Sequence, residues 1–190
     1  LTKLHEQVLF SQVRVKTDKG GGSGTIIYSK SADDGTFHTY ALTCWHVIES
    51  AITLKDEWDS RVGRQRKREV RQLVTVEFFD WSNVLHGHRP LNYSSDAEIV
   101  AYDKDHDMAL LKLRTVKQAG NVATLMPSGA EKRLMIGSAV VAVGSALLHD
   151  PVITNGIITH FGDEIDNKLY WMSNAQIIFD GEEIMHGGHS

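Results

Sequence analysis

An all-β fold of barrel or sandwich type is what this sequence predicts. Strand patterns are many and short, prolines number only 3, and no long amphipathic helix interrupts them. Val13 and Val15 alternate with Gln12, Arg14 and Lys16, the period-2 pattern of a half-buried strand. Gly20-Gly21-Gly22-Ser23-Gly24 reads as a break and flexible lead-in, after which β-branched and aromatic Thr25-Ile26-Ile27-Tyr28 resumes a strand. Residues 31–35 read as a turn returning into a second hairpin arm over 38–43. Val74, Val76 and Phe78 alternate with Thr75 and Glu77, and strands over 97–102 and 108–113 flank a turn at 103–107.

Between these lies a locally basic run, Arg61-Val62-Gly63-Arg64-Gln65-Arg66-Lys67-Arg68, read as a solvated loop or hairpin end. A docking site for an acidic partner is the alternative there. Residues 69–74 fit a short helix, since Val70, Leu73 and Val74 share helical spacing, as well as a strand. The polar, strand-poor stretch 115–124 reads as a linker between two halves. Beyond it come a buried-looking run over 139–143 ending at Gly144, a strand over 151–159 and another over 169–172.

Composition narrows the class. The chain has 190 residues, 42% hydrophobic and 23% charged, enough apolar content for one domain or two small ones. A net charge of −4 argues against a dedicated nucleic-acid binder. No apolar run approaches the ~18 residues of a membrane span. With one cysteine, Cys44, no disulfide framework forms within the chain, which fits a reducing compartment or a bacterial or viral setting.

Three segments carry chemistry. A serine hydroxyl is a poor nucleophile at neutral pH and needs a base within hydrogen-bond reach, itself oriented by a third group. His46 suits the base: it follows a buried strand and begins a short helical turn through Val47, Ile48 and Glu49. Asp107 suits the orienting role, where a polar turn becomes an apolar strand. Ser190 suits the nucleophile, because Gly187 and Gly188 allow backbone conformations closed to other residues. The backbone N–H groups of Gly188 and Ser190 would form the oxyanion hole, each such donor worth on the order of 3 kcal/mol. The order His, Asp, Ser is one of the known chain orders of a hydrolytic triad.

Rival sites are weaker. Asp103 to Asp107 resembles a calcium loop, but the required Gly and Glu are replaced by Met108 and Arg114. His86-Gly87-His88 and His186-x-x-His189 lack the further ligands of a metal site. The Gly20 to Gly24 run lacks the Lys-Ser/Thr of a phosphate loop. Cys44 reads as a buried structural thiol and not as a nucleophile, and Ser145 and Ser173 read as structural.

Gly22-Ser23-Gly24-Thr25-Ile26-Ile27, followed by Ala41-Leu42-Thr43-Cys44-Trp45-His46-Val47-Ile48, resembles the Gly-Ser-Gly strand and Leu-Thr-x-x-His-Val segment of trypsin-like serine peptidases, especially their bacterial HtrA-like branch. Asp107-Met108-Ala109-Leu110-Leu111-Lys112-Leu113 is similar to that family's Asp-aliphatic-Ala-Leu-Leu-Lys segment. The stretch from Val140 to Ser145, with Val152-Ile153-Thr154-Asn155-Gly156-Ile157-Ile158, resembles its second-barrel strand pair. The resemblance implies two antiparallel β-barrels with the triad between them: 1–114 an N-terminal barrel carrying His46 and Asp107, 115–124 a linker, and 125–190 a partial C-terminal barrel. It makes His46 the general base, Asp107 its partner, Ser190 the nucleophile, and Gly188 and Ser190 the oxyanion donors. The implied partner is a polypeptide substrate, with no cofactor, no metal, no nucleic acid and no membrane.

Two departures from the family pattern carry expectations of their own. The family continues Gly-x-Ser with Gly-Gly and further strands, so this chain is expected to be part of a longer protein and its second barrel incomplete. His189 stands where digestive trypsins place an acidic residue, so activation by a freed N-terminus is not expected. The pocket floor is expected near Ile184 and Met185, apolar or mixed in character. The alternative function is a catalytically inactive module of the same fold that binds peptides or partner proteins.

Overall fold

The computed structural model describes residues 8–33, 35–61, 63–81, 92–115, 117–145 and 151–177. Eleven strands dominate them: β1 (Gln12–Thr17), β2 (Gly20–Ser31), β3 (Phe37–Thr43), β4 (Ile52–Asp59), β5 (Arg64–Arg71), β6 (Val74–Phe79), β7 (Asn92–Asp103), β8 (Met108–Leu113), β9 (Ala139–Gly144), β10 (Val152–Ile165) and β11 (Lys168–Ser173). A short helix, α1 (Trp45–Ile48), and 3-10 turns at Glu49–Ala51 and Ala130–Arg133 accompany them among the described residues.

Six strands close into a barrel in the order β1-β2-β3-β8-β7-β6. Alternation along each strand explains the closure, because successive side chains point to opposite faces. Val13 and Val15, Ile26, Ala41, Val74 and Val76, Ala97 and Ile99, and Ala109, Leu111 and Leu113 all point inward and are buried. Each large aliphatic side chain removed from water contributes about 1.5–3 kcal/mol. Val47 and Ile48 of α1 join the same core. The strands bend where the register slips, between Ile26 and Tyr28 on β2 and between Ile99 and Ala101 on β7. At the β7 irregularity the Arg71 guanidinium donates to the carbonyls of Ile99 and Val100, at 2.9 and 2.8 Å.

A second, three-stranded sheet runs in the order β11-β10-β9. The connection from the barrel is strapped across β2: Ala119 N–H donates to Ser29 Oγ (2.9 Å) and Ala123 N–H to the Ile26 carbonyl (2.8 Å). Just beyond β9, Ser145 N–H donates to Ser23 Oγ at 2.6 Å, so the second sheet meets β2 near its glycines. The all-β class expected from sequence is what the chain adopts, with one closed barrel and, among the described residues, a three-stranded sheet in place of the second.

Several local expectations are corrected. Gly20 to Gly24 is not a break: it is the first half of β2, paired with β1 throughout. Glycine is needed there for close approach, since a Cβ on Gly22 would sit 2.6 Å from Val47 Cγ2 and one on Gly24 2.9 Å from Val15 Cγ2. Residues 64–68 of the basic run are solvated and lie at the end of a hairpin as expected, but as strand: they belong to β5 of the two-stranded β4–β5 sheet outside the barrel. Residues 69–74 form no helix; β5 ends at Arg71 and β6 begins at Val74. Strand β4 has no counterpart in the sequence reading, and β7 and β10 are each longer than expected.

Candidate active site

The register of β3 on β8 pairs Thr43 with Ala109. The residues just past the end of β3 therefore lie beside those just before the start of β8. Cys44, still extended (φ −81°, ψ 151°), leads into α1, where Val47 and Ile48 turn into the core. The helical turn then leaves His46 on the outer side, exposed.

Asp107 closes the turn between β7 and β8 with φ 51°, in the left-handed region that Asp and Asn tolerate better than most residues. Asp103 builds that turn. Its Oδ1 accepts the N–H groups of Asp105 (3.0 Å) and His106 (3.1 Å), and its Oδ2 pairs with His106 Nδ1 at 2.7 Å. The His106 ring bond and the two backbone bonds hold the Asp103 carboxyl below the usual carboxylate range. Both oxygens of this carboxylate are thus engaged by the turn itself.

His46 and Asp107, 61 residues apart, meet through two contacts. The His46 backbone N–H donates to Asp107 Oδ1 at 2.9 Å, and His46 Nδ1 lies 2.7 Å from Oδ2. An ionised carboxylate only accepts, so Nδ1 is the donor. In the neutral ring that leaves Nε2 as an acceptor, the form a general base requires. Burial would raise the Asp107 pKa, but bonds from the His46 backbone and ring and from the Cys44 thiol outweigh it and hold the group below its ordinary range.

Cys44 is the residue the sequence reading misplaced. It is exposed and not buried in the core. Its Sγ, a His46 ring nitrogen and an Asp107 carboxylate oxygen all lie within 4.8 Å of one another. Partial desolvation, then the Asp107 charge and a hydrogen bond to that carboxylate, push the thiol pKa up. An i, i+2 spacing to His46 at a strand end was the available signal; what it lacked was the turn that swings both residues to one side.

Around this pair, Trp45 packs on Tyr102 with ring centroids 4.4 Å apart, and Lys104 Nζ lies over Trp45 at 4.6 Å. Depressions of about 520 and 500 Å³ lie along the β4–β5 hairpin, and neither is lined by His46 or Asp107. Gly188 and Ser190 lie outside the described residues, as do Ile184, Met185, His186, His189 and the segment from His86 to His88. The structure thus brings His46 and Asp107 together.

Comparison with known proteins agrees with the fold. The family described as Trypsin-like peptidase domain matches residues 22–188. Protease Do-like 1, chloroplastic, from Arabidopsis thaliana is 32% identical over 72 residues, 38% of this chain and 16% of that protein's length. The chain therefore matches only a small part of that curated relative. Among solved structures, the crystal structure of Deg5 superposes with a TM-score of 0.61 at 22% identity, covering 92% of this chain and 72% of that one. At that identity the match speaks to the fold.

Proposed function

The chain belongs to the trypsin-like peptidase family, and from that membership we propose that it is a serine endopeptidase of the HtrA-like branch working through His46, Asp107 and Ser190. Ser190 Oγ attacks the scissile carbonyl while His46 Nε2 takes its proton. The N–H groups of Gly188 and Ser190 hold the negative oxygen of the tetrahedral intermediate. His46 then protonates the departing amine, and water releases the acyl group by the same steps in reverse. Asp107 keeps the ring in the productive tautomer and stabilises the imidazolium that forms.

The observation that carries this reading is the two-point grip of Asp107 on His46, through the backbone N–H at 2.9 Å and the ring at 2.7 Å. Asp103 grips His106 in the same two-point way, but within one turn, where sequence neighbours meet without help. His46 and Asp107 are 61 residues apart, and the grip between them fixes the residue that carries the imidazole across two strands.

The test is labelling by a fluorophosphonate probe and cleavage of an unfolded protein, by the parent chain and by Ser190→Ala. Loss of both signals in the variant is expected. Labelling or cleavage that survives the substitution removes Ser190 from the mechanism. A second reading, a module that binds polypeptides without cutting them, draws on the exposed apolar side chains of β10 and β11, among them Ile157, Leu169 and Trp171. Peptide binding with no labelling by the probe selects it.

A further inference from the structure

We propose that Cys44, His46 and Asp107 also form a binding site for one zinc-class divalent cation, and that its occupancy switches the His46–Asp107 pair off. The switching half of this proposal rests on the peptidase reading; the binding half does not. Three donor types converge here: a thiol sulfur, a ring nitrogen and a carboxylate oxygen, all within 4.8 Å of one another. Thiolate and imidazole together favour zinc over magnesium or calcium, which prefer oxygen ligands.

The geometry needs little change. Bonds of about 2.3 Å to sulfur, 2.0–2.1 Å to nitrogen and 2.0–2.2 Å to oxygen put tetrahedral donors roughly 3.3–3.6 Å apart. The Nδ1 to Oδ2 separation of 2.7 Å must then open by about 0.6 Å, set by those same bond lengths. The two segments carrying the donors are already aligned by the Thr43–Ala109 pairing. His46 and Asp107 side chains are 65% and 46% exposed, so water has access for the fourth position.

The proton balance states the consequence. The cation takes the Nδ1 lone pair, so the ring proton moves from Nδ1 to Nε2. The thiol proton leaves to solvent, one per ion bound. With a proton on Nε2 the ring has no acceptor for a serine hydroxyl, and the Asp107 contact on Nδ1 is replaced by metal. Inhibition follows from tautomer alone, with no blockage of the cleft required.

The experiment titrates the reduced, metal-free chain with cobalt(II), then displaces it with zinc(II) against a chromophoric chelator. Because Cys44 is the chain's one cysteine, a thiolate-to-cobalt charge-transfer band reports on this site and not on the other histidines. Expected are one ion per chain with that band, about one proton released, and zinc protection of Cys44 from alkylation. Cys44→Ala should lose the band and weaken zinc by more than the about 100-fold that losing an outer-shell partner costs. His106→Ala, whose ring belongs to the Asp103 pair, should weaken zinc by less than the about 10-fold that losing even an outer-shell partner costs.

Cobalt binding without the thiolate band, or zinc that leaves Cys44 open to alkylation, overturns the proposal. The alkylation measurement uses the unmodified chain, so a misfolded variant does not decide the matter. Zinc bound at Cys44 in a chain that fluorophosphonate never labels would retain the site and remove the peptidase reading. Active chain with no thiolate-bound metal would do the reverse.

Discussion

Replacing Asp107 by Asn is the sharpest test of the proposed relay. Asn tolerates the φ of 51° at this position, so the turn survives, and one amide oxygen still accepts the His46 backbone N–H. What changes is the charge and the partner of Nδ1. Charges about 4 Å apart interact by roughly 1 kcal/mol under full water screening and about 4 kcal/mol at an effective dielectric of 20. With the two side chains 65% and 46% exposed, an intermediate value of about 2–3 kcal/mol applies to the imidazolium formed in the transition state. At 1.36 kcal/mol per decade that is roughly a hundredfold. The amide NH2 facing Nδ1 also favours the ring proton on Nε2, which removes the acceptor the serine needs. Together the two effects amount to a loss on the order of 10³–10⁴ in kcat. Initial rates on an unfolded protein substrate, with a thermal melt to show that the fold is retained, measure it. A folded Asp107→Asn chain that loses less than about tenfold would refute the reasoning, since neither charge nor tautomer would then matter.

Three further outcomes concern the scaffold. Gly22→Ala places a Cβ 2.6 Å from Val47 Cγ2, beside His46 on a stiff β-branched side chain. It should cost about 1–3 kcal/mol in denaturant unfolding, and a neutral result would show that α1 shifts freely. Leu111→Ala, fully buried at the barrel centre, should cost about 2–5 kcal/mol in the same measurement. Glu77 is bonded by Arg14 at 2.6 Å and Lys16 at 3.1 Å; burial would raise its pKa, but these two partners outweigh it and hold it below the glutamate range. A lowered folded pKa means its stabilisation is fully present above the unfolded value near 4.3 and fades as pH falls through the folded one. Glu77→Gln should therefore be less stable than the parent at pH 7, and the gap should close on acidification. A pH-independent gap would exclude ionisation as its cause.

How much was legible follows from what imposed each pattern. Strands β1, β6 and β8 were readable because one face of each is buried, and burial forces period-2 alternation on residues such as Val13, Val15, Val74 and Val76. Strand β4 was not, because the β4–β5 sheet stands outside the barrel with Leu54 and Trp58 exposed; with neither face buried, nothing imposes alternation. Gly20 to Gly24 misled because propensity weighs glycine against strands, whereas here it is selected by the closeness of Val47 and Val15. Cys44 misled because a free cysteine is usually buried, and only the direction of the turn after β3 shows that this one is not.

By itself the chain determined its all-β class, the alternating core of the first barrel and the residue types, in order, that a hydrolytic relay uses. These are local matters: side-chain chemistry, and the periodicity that water imposes on a strand with one dry face. The meeting of His46 with Asp107, and the arrival of Cys44 beside them, were decided by the pairing of β3 with β8. Register is a property of two strands packed on a common core, 61 residues apart at this contact, and no single segment contains it.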